Sequence, residues 1–69
     1  MEFIVKSNQR WSNGSYYQVM SFNDIALFFN CDVDVEVDEM IDCVANLNIN
    51  ESHEENFFGG NEYTFKRIK

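Results

Sequence analysis

The chain has 69 residues and a formal net charge of −7 at pH 7, with 45% apolar and 16% aromatic residues. This length supports one small domain, spanning residues 1–69, because a chain of about 60 residues buries only about 60% of the surface that it exposes when unfolded. The negative charge disfavours direct binding to nucleic acids and anionic membranes, which are polyanions. The apolar content exceeds that of a disordered acidic tail, so a folded domain is predicted.

The N-terminal part of the sequence predicts a β-hairpin. Residues 3–6 are apolar or β-branched, which is typical of a strand. The dipeptide Asn13-Gly14 favours a two-residue turn, and residues 16–20 are predicted to form the returning strand. A strict two-residue turn would leave the first strand out of register, so a bulge near residues 7–9 or a longer loop is also required.

A first helix is predicted to begin at Ser21. The Ser21 hydroxyl and the Asp24 carboxylate are three residues apart, as in a capping box with Asp in place of Glu. Apolar residues follow at intervals of three or four and predict a helix of about nine residues. They are Phe22, Ile25, Ala26, Phe28 and Phe29.

Residues 32–38 alternate acidic residues with Val, and two interpretations stay open for them. The period indicates a half-buried strand with the valines inward, whereas the Asp content favours a loop. From Val37 the period becomes helical and predicts an amphipathic helix that ends near Leu47. Its apolar positions are Val37, Met40, Ile41, Val44 and Leu47.

The C-terminal part predicts a polar loop over residues 48–56, a turn at Gly59-Gly60-Asn61 and a final strand over residues 62–68. The resulting fold class is α+β. We expect a small antiparallel sheet, made of the β-hairpin and the C-terminal strand, with two short helices packed on one face.

The acidic residues are concentrated in one segment. Nine of the twelve lie between residues 32 and 55, where there is no Lys or Arg. Carboxylates on alternate residues of an extended segment recur about every 6.5–7 Å, on the scale of phosphate spacing in nucleic acid. Such an array can occupy a groove lined by Arg and Lys. The predicted partner-binding residues are Asp32, Asp34, Glu36, Asp38, Glu39, Asp42, Glu51, Glu54 and Glu55.

Within this set, we expect Asp34 and Glu36 to contribute more to binding than Glu54 and Glu55, because carboxylates in a loop lose more entropy when they bind. The rival interpretation is a small structural or oligomerising protein whose acidity only serves solubility. Its contact surface, and a homodimer, would come from exposed aromatic residues. They are Trp11, Tyr16, Tyr17, Phe57 and Phe58.

No residue set indicates catalysis, a metal or a cofactor. His53 is the only histidine and is predicted to be a solvated loop residue. A calcium loop that begins at Asp32 or Asp34 lacks the required Gly and Glu at its sixth and twelfth positions. Cys31 and Cys43 fall short of a four-ligand zinc site. We expect a non-enzymatic protein with two reduced, partly buried thiols, and a disulfide between them is the alternative.

The opening apolar run is too short for a signal peptide, and no run approaches the roughly 18 apolar residues of a membrane span. A cytoplasmic protein is therefore predicted. The chain resembles the small acidic proteins that phages use against bacterial defence, anti-CRISPR proteins above all. The resemblance rests on the short domain, the opening Met-Glu-Phe-Ile-Val strand, the acidic helical middle and the closing strand at residues 63–68.

This resemblance implies an inhibitor, acting in the host bacterial cytoplasm, that blocks the DNA or guide-RNA surface of a CRISPR effector. Phage inhibitors of host RNA polymerase or of restriction enzymes have the same general character. In each case the implied partner is a basic surface of a protein or ribonucleoprotein complex, with no direct contact to nucleic acid.

Overall fold

The computed structural model describes residues 1–29, 35–57 and 59–69, with only the backbone for residues 35 and 36. Its elements in chain order are β1 (Glu2–Ser7), β2 (Tyr17–Ser21), α1 (Phe22–Phe29), α2 (Val35–Ala45), β3 (Ser52–Asn56) and β4 (Glu62–Arg67). The strands form one antiparallel sheet in the order β2-β1-β4-β3. The predicted α+β class is confirmed, and the sheet contains one strand, β3, that was not expected.

One face of the sheet and both helices form a single core. Phe3 of β1 lies opposite Met20 of β2, and Val5 of β1 lies opposite Phe65 of β4, so these buried side chains share one face. Ile25 from α1 joins them, together with Met40 and Val44 from α2. The helices therefore cover this face, and no described helix or strand covers the other face of the sheet, which we call the uncovered face.

The predicted turn at Asn13-Gly14 exists, but it is a three-residue turn. The Trp11 N–H donates to the Ser15 carbonyl at 2.8 Å, and the Gly14 N–H donates to the Trp11 carbonyl at 2.9 Å. Only Gly14 in this turn has a positive φ, of 82°, whereas a two-residue turn of the Asn-Gly type needs two such residues. The turn lies within a connection over residues 8–16, so the longer loop is the correct alternative.

The capping box at the start of α1 is confirmed. The Asp24 N–H donates to Ser21 Oγ at 3.1 Å, and the Ser21 N–H donates to Asp24 Oδ2 at 3.2 Å. This reciprocal pair satisfies two backbone donors that a helix start would otherwise leave open. It also fixes the point where the chain leaves β2 and enters the helix.

Replacing Ser21 with Ala should lower the free energy of unfolding by about 1 kcal/mol, because the Asp24 N–H loses its acceptor. Urea denaturation followed by circular dichroism measures the change. The control is Ser12→Ala at an exposed serine of the 8–16 connection, which should leave stability within about 0.5 kcal/mol of the parent. Equal effects from the two substitutions would show that the capping bond adds nothing.

Neither the strand nor the loop interpretation of residues 32–38 holds where the structure describes them, because α2 already begins at Val35. Residues 32–34 lie outside the described part. The helical period of the buried residues Val37, Met40 and Val44 is confirmed. Acidic residues in a first helical turn are favoured by the helix dipole, which explains how a segment that is poor as a strand is compatible with a helix.

The loop interpretation of residues 48–56 is confirmed for residues 48–51 and wrong for the rest, because Ser52–Asn56 is strand β3. A β-bulge leads into it. The Asn50 N–H donates to the Arg67 carbonyl at 2.7 Å, while the Arg67 N–H donates to the Glu51 carbonyl at 3.0 Å, so two residues oppose one. Asn50 adopts the positive φ, of 72°, that such a bulge uses. The predicted turn before β4 is confirmed, and it has positive φ at Gly59 and Gly60.

Candidate acidic binding surface

Helix α2 exposes three of the predicted binding residues, Asp38, Glu39 and Asp42. They lie opposite the buried residues Val37 and Met40, so the helix packs with one face and presents acids on the other. Asp38 and Asp42 are one helical turn apart, and like charges at this spacing cost about 0.2–0.5 kcal/mol. We call these three residues the acidic helix surface.

No cation neutralises the acidic helix surface within the described residues. Among the described residues, no Lys or Arg nitrogen lies within 4.0 Å of a carboxylate oxygen, and the one contact at this range joins His53 Nε2 to Glu55 Oε1, at 3.9 Å on β3. Arg10 instead lies over the Tyr16 ring, 5.5 Å from its centroid. The acids therefore do not serve as partners for internal ion pairs.

Arg67 lies near the end of α2, but its guanidinium is engaged with the backbone. Its Nη1 donates to the Leu47 carbonyl at 2.8 Å, and its Nε donates to the Lys69 carbonyl at 3.1 Å. The arginine thus fastens the chain after α2 to the end of β4. It supplies charge near the carbonyl end of the helix, where a cation is favoured and where α2 has no basic residue of its own.

The acids of residues 51–55 do not form one loop surface. Glu54 is exposed on the uncovered face of the sheet, whereas Glu55 is half-buried on the helix side. Glu51 has a structural role, because its Oε1 accepts the Asn48 N–H at 2.8 Å within the turn before β3. Glu55 therefore lies on the side of β3 that adjoins α2, whereas Glu54 lies on the other face of the sheet.

His53 is a half-buried strand residue and not the solvated loop residue that was expected. It pairs with Phe65 across the β3–β4 ladder, and the two rings are stacked with centroids 6.5 Å apart. Its Nε2 is buried, and no hydrogen-bond partner lies among the described residues. The alternation of strand β3, which turns His53 toward the core, is the reason for the difference.

Three predicted binding positions lie outside what the structure describes. These are Asp32, Asp34 and the side chain of Glu36. The expected ranking, which placed Asp34 and Glu36 above Glu54 and Glu55, has lost its stated reason, because Glu54 and Glu55 are on an ordered strand. A carboxylate on an ordered backbone loses only side-chain entropy on binding, whether the backbone is a helix or a strand.

Two of the aromatic residues expected at the surface belong to the core region. Trp11 and Phe57 are half-buried and pack against the buried cluster. Trp11 contacts Phe28 with ring centroids 5.0 Å apart, and Phe57 contacts Phe29 at 5.9 Å. The remaining members of that set are the exposed residues Tyr16 and Tyr17, together with Phe58, which lies outside the described part.

The thiol of Cys43 is free and exposed on α2, which corrects the expectation of a partly buried thiol; Cys31 is outside the described residues.

Over residues 1–29, 35–57 and 59–69, the structure has no group of three or more His, Cys, Asp or Glu side chains placed to hold a metal ion. In the same part of the chain, neither helix has the length and apolar character needed to cross a membrane.

No known protein family, curated protein or solved structure matches this chain. A functional assignment therefore depends on the geometry and the charge of the residues described above. The feature that stands out among them is an ordered acidic surface without internal counterions.

Proposed function

We propose that this protein is a non-enzymatic inhibitor of the anti-CRISPR type. Its acidic helix surface binds a basic, nucleic-acid-binding surface of a host protein or ribonucleoprotein complex and blocks access of nucleic acid to it. The observation that carries the proposal is the exposure of Asp38, Glu39 and Asp42 on a packed helix, with no Lys or Arg within 4.0 Å of them.

Unpaired carboxylates on a helix are suited to this role for two reasons. Their backbone is already ordered by the packing of Met40 and Val44, so binding costs less conformational entropy than it would for a disordered acidic tail. Because no internal Lys or Arg pairs with them, these carboxylates can also bind Arg and Lys of a partner. Such contacts can be bidentate and can replace the contacts that the partner makes to phosphates. Long-range attraction would accelerate the encounter.

The test is made on the partner itself, which is captured from a nuclease-treated bacterial lysate, identified and purified. Its affinity for this protein should fall steeply with salt, because the screening length shortens from about 8 Å at 0.15 M to about 3 Å at 1 M. The nucleic acid that the partner normally binds should displace the protein. An affinity that is flat with salt, or a stable ternary complex with nucleic acid, would contradict the proposal.

A second candidate function is self-association, with acidity that serves solubility. The observation in its favour is the exposure of Tyr17 and Val19, each by more than half, on the uncovered face of the sheet. Light scattering coupled to gel filtration at micromolar concentration measures the mass directly. A dimer that Val19→Ser converts to a monomer would support this candidate, and a monomer at all concentrations would exclude it.

A further inference from the structure

Strand β3 is an edge strand with one open side. It pairs with β4 alone, in the register that places His53 opposite Phe65 and Glu54 opposite Thr64. An edge strand presents backbone N–H and C=O groups that another extended chain can pair with.

The hydrogen bonds at its two ends determine which residues present these groups. The Phe57 N–H donates to the Asn61 carbonyl at 2.8 Å, and the Arg67 N–H donates to the Glu51 carbonyl at 3.0 Å. In an antiparallel ladder, every second residue directs its backbone N–H and C=O toward the neighbouring strand. Counting from Phe57, the backbone groups of Glu55 and His53 therefore bond to β4. The backbone groups of the other three residues point to the open side. They are Ser52, Glu54 and Asn56.

The opposite edge of the sheet, at β2, differs because the protein's own side chains occupy an outward backbone group near each of its two ends. Ser15 Oγ donates to the Tyr17 carbonyl at 2.6 Å, and the Ser21 N–H donates to Asp24 Oδ2 at 3.2 Å. No described residue forms a hydrogen bond to the outward backbone groups of β3. Of the two edges, β3 therefore leaves more of its outward backbone groups available to an added strand.

The charges around β3 select the kind of strand. A second copy that paired through β3 would bring Glu54 and Glu55 close to their own counterparts, and like charges across a strand pair are destabilising. A strand with basic residues would instead be attracted to Glu54 and Glu55. It would lie about 4.8 Å from β3 and alternate its side chains between the face of Glu54 and the face of Glu55, which adjoins α2.

We propose that the open edge of β3 binds an extended Arg- and Lys-rich peptide segment of the partner as a fifth strand of the sheet. The proposal rests on the proposed function, because the added strand belongs to the same basic partner, and it adds main-chain recognition to charge attraction. Main-chain hydrogen bonds supply affinity in this mode of binding, and the flanking side chains supply specificity.

Two substitutions at Glu54 separate main-chain recognition from charge. Glu54→Pro and Glu54→Gln remove the same charge, but only the proline also removes the outward N–H. Proline is tolerated on an edge strand where the N–H faces away from the sheet, and the ladder to β4 keeps its bonds. Circular dichroism and urea denaturation verify that both variants are folded.

The probes are a short fluorescent peptide in which Lys alternates with Val, and the same peptide methylated on two adjacent central backbone nitrogens. Methylation at adjacent positions removes a donor from each edge of the peptide. By fluorescence anisotropy, Glu54→Gln should weaken binding of the first peptide a few-fold, and Glu54→Pro should weaken it at least a further tenfold. The methylated peptide should bind the parent at least tenfold more weakly than the unmethylated one.

Hydrogen exchange of the backbone amides, followed by NMR, is a second measurement, and it is made on the parent protein. On addition of the unmethylated peptide, the amide protons of Ser52, Glu54 and Asn56 should become protected from hydrogen exchange. Equal affinity of the two Glu54 variants, equal affinity of the two peptides, or no binding of either peptide would overturn strand addition. Salt-dependent capture of the partner tests the proposed function separately, so a failure of strand addition is distinguishable from a failure of the inhibitor proposal.

Discussion

Replacing Phe65 with Ala should lower the free energy of unfolding by about 3–5 kcal/mol. Phe65 is fully buried on the inner strand β4, and its ring lies 5.7 Å from that of Phe29 and 6.4 Å from that of Tyr63. A domain of this length has a total stability of only about 3.5–10 kcal/mol at 0.05–0.15 kcal/mol per residue. The substitution should therefore remove about a third or more of the total stability, as measured by urea denaturation followed by circular dichroism.

The control for Phe65 is Leu27→Ala on α1, where a large apolar side chain is 71% exposed. Leu and Ala are both good helix formers, so this change should stay within about 0.5 kcal/mol of the parent. A loss of less than about 1 kcal/mol for Phe65→Ala would mean that the contacts between α1 and β4 do not hold the domain together.

Reversing two charges of the acidic helix surface, with Glu39→Lys and Asp42→Lys together, should weaken binding to the captured partner at least about 100-fold, or about 2.7 kcal/mol. Two attractive contacts with a basic surface would become repulsive. The fold should persist, because Asp38 followed by Lys at position 42 forms a favourable pair one turn apart and Lys suits the later turns of a helix. Affinity is measured by calorimetry at fixed salt.

The matched control is Glu2→Lys with Glu62→Lys, which changes the net charge equally at exposed strand positions outside the acidic segment. This pair should cost less than about tenfold in affinity. Equal losses from the two double variants would show that the protein acts through diffuse net charge. A greater loss from the control would place the interface away from α2.

Local signals explain what could be predicted for α1, α2 and the turns. The capping pair of Ser21 and Asp24 is specified by residues three apart, and Gly14 marks a turn by its own conformational freedom. The four-residue spacing of Met40 and Val44 likewise predicts the face of α2 that is buried. Each of these features depends on neighbours within about one helical turn, so a short window of sequence contains the information.

Strand β3 could not be predicted in this way, and the candidate site changed with it. Residues 52–56 are Ser, His, Glu, Glu and Asn, which have low strand propensity when they are judged alone. Their conformation is decided by pairing with β4 and by the bulge at Asn50. That pairing separates Glu54 from Glu55 and turns His53 toward Phe65.

The sequence by itself determined the α+β class, the helix start at Ser21, the core face of α2 and the concentration of acids in the second half of the chain. Only the tertiary structure decided which acids share a surface, that Trp11 and Phe57 pack inward, and that β3 leaves an open edge. The reason is physical: composition and short-range spacing fix charge and local helix geometry, whereas strand pairing and burial come from contacts between residues far apart in the chain.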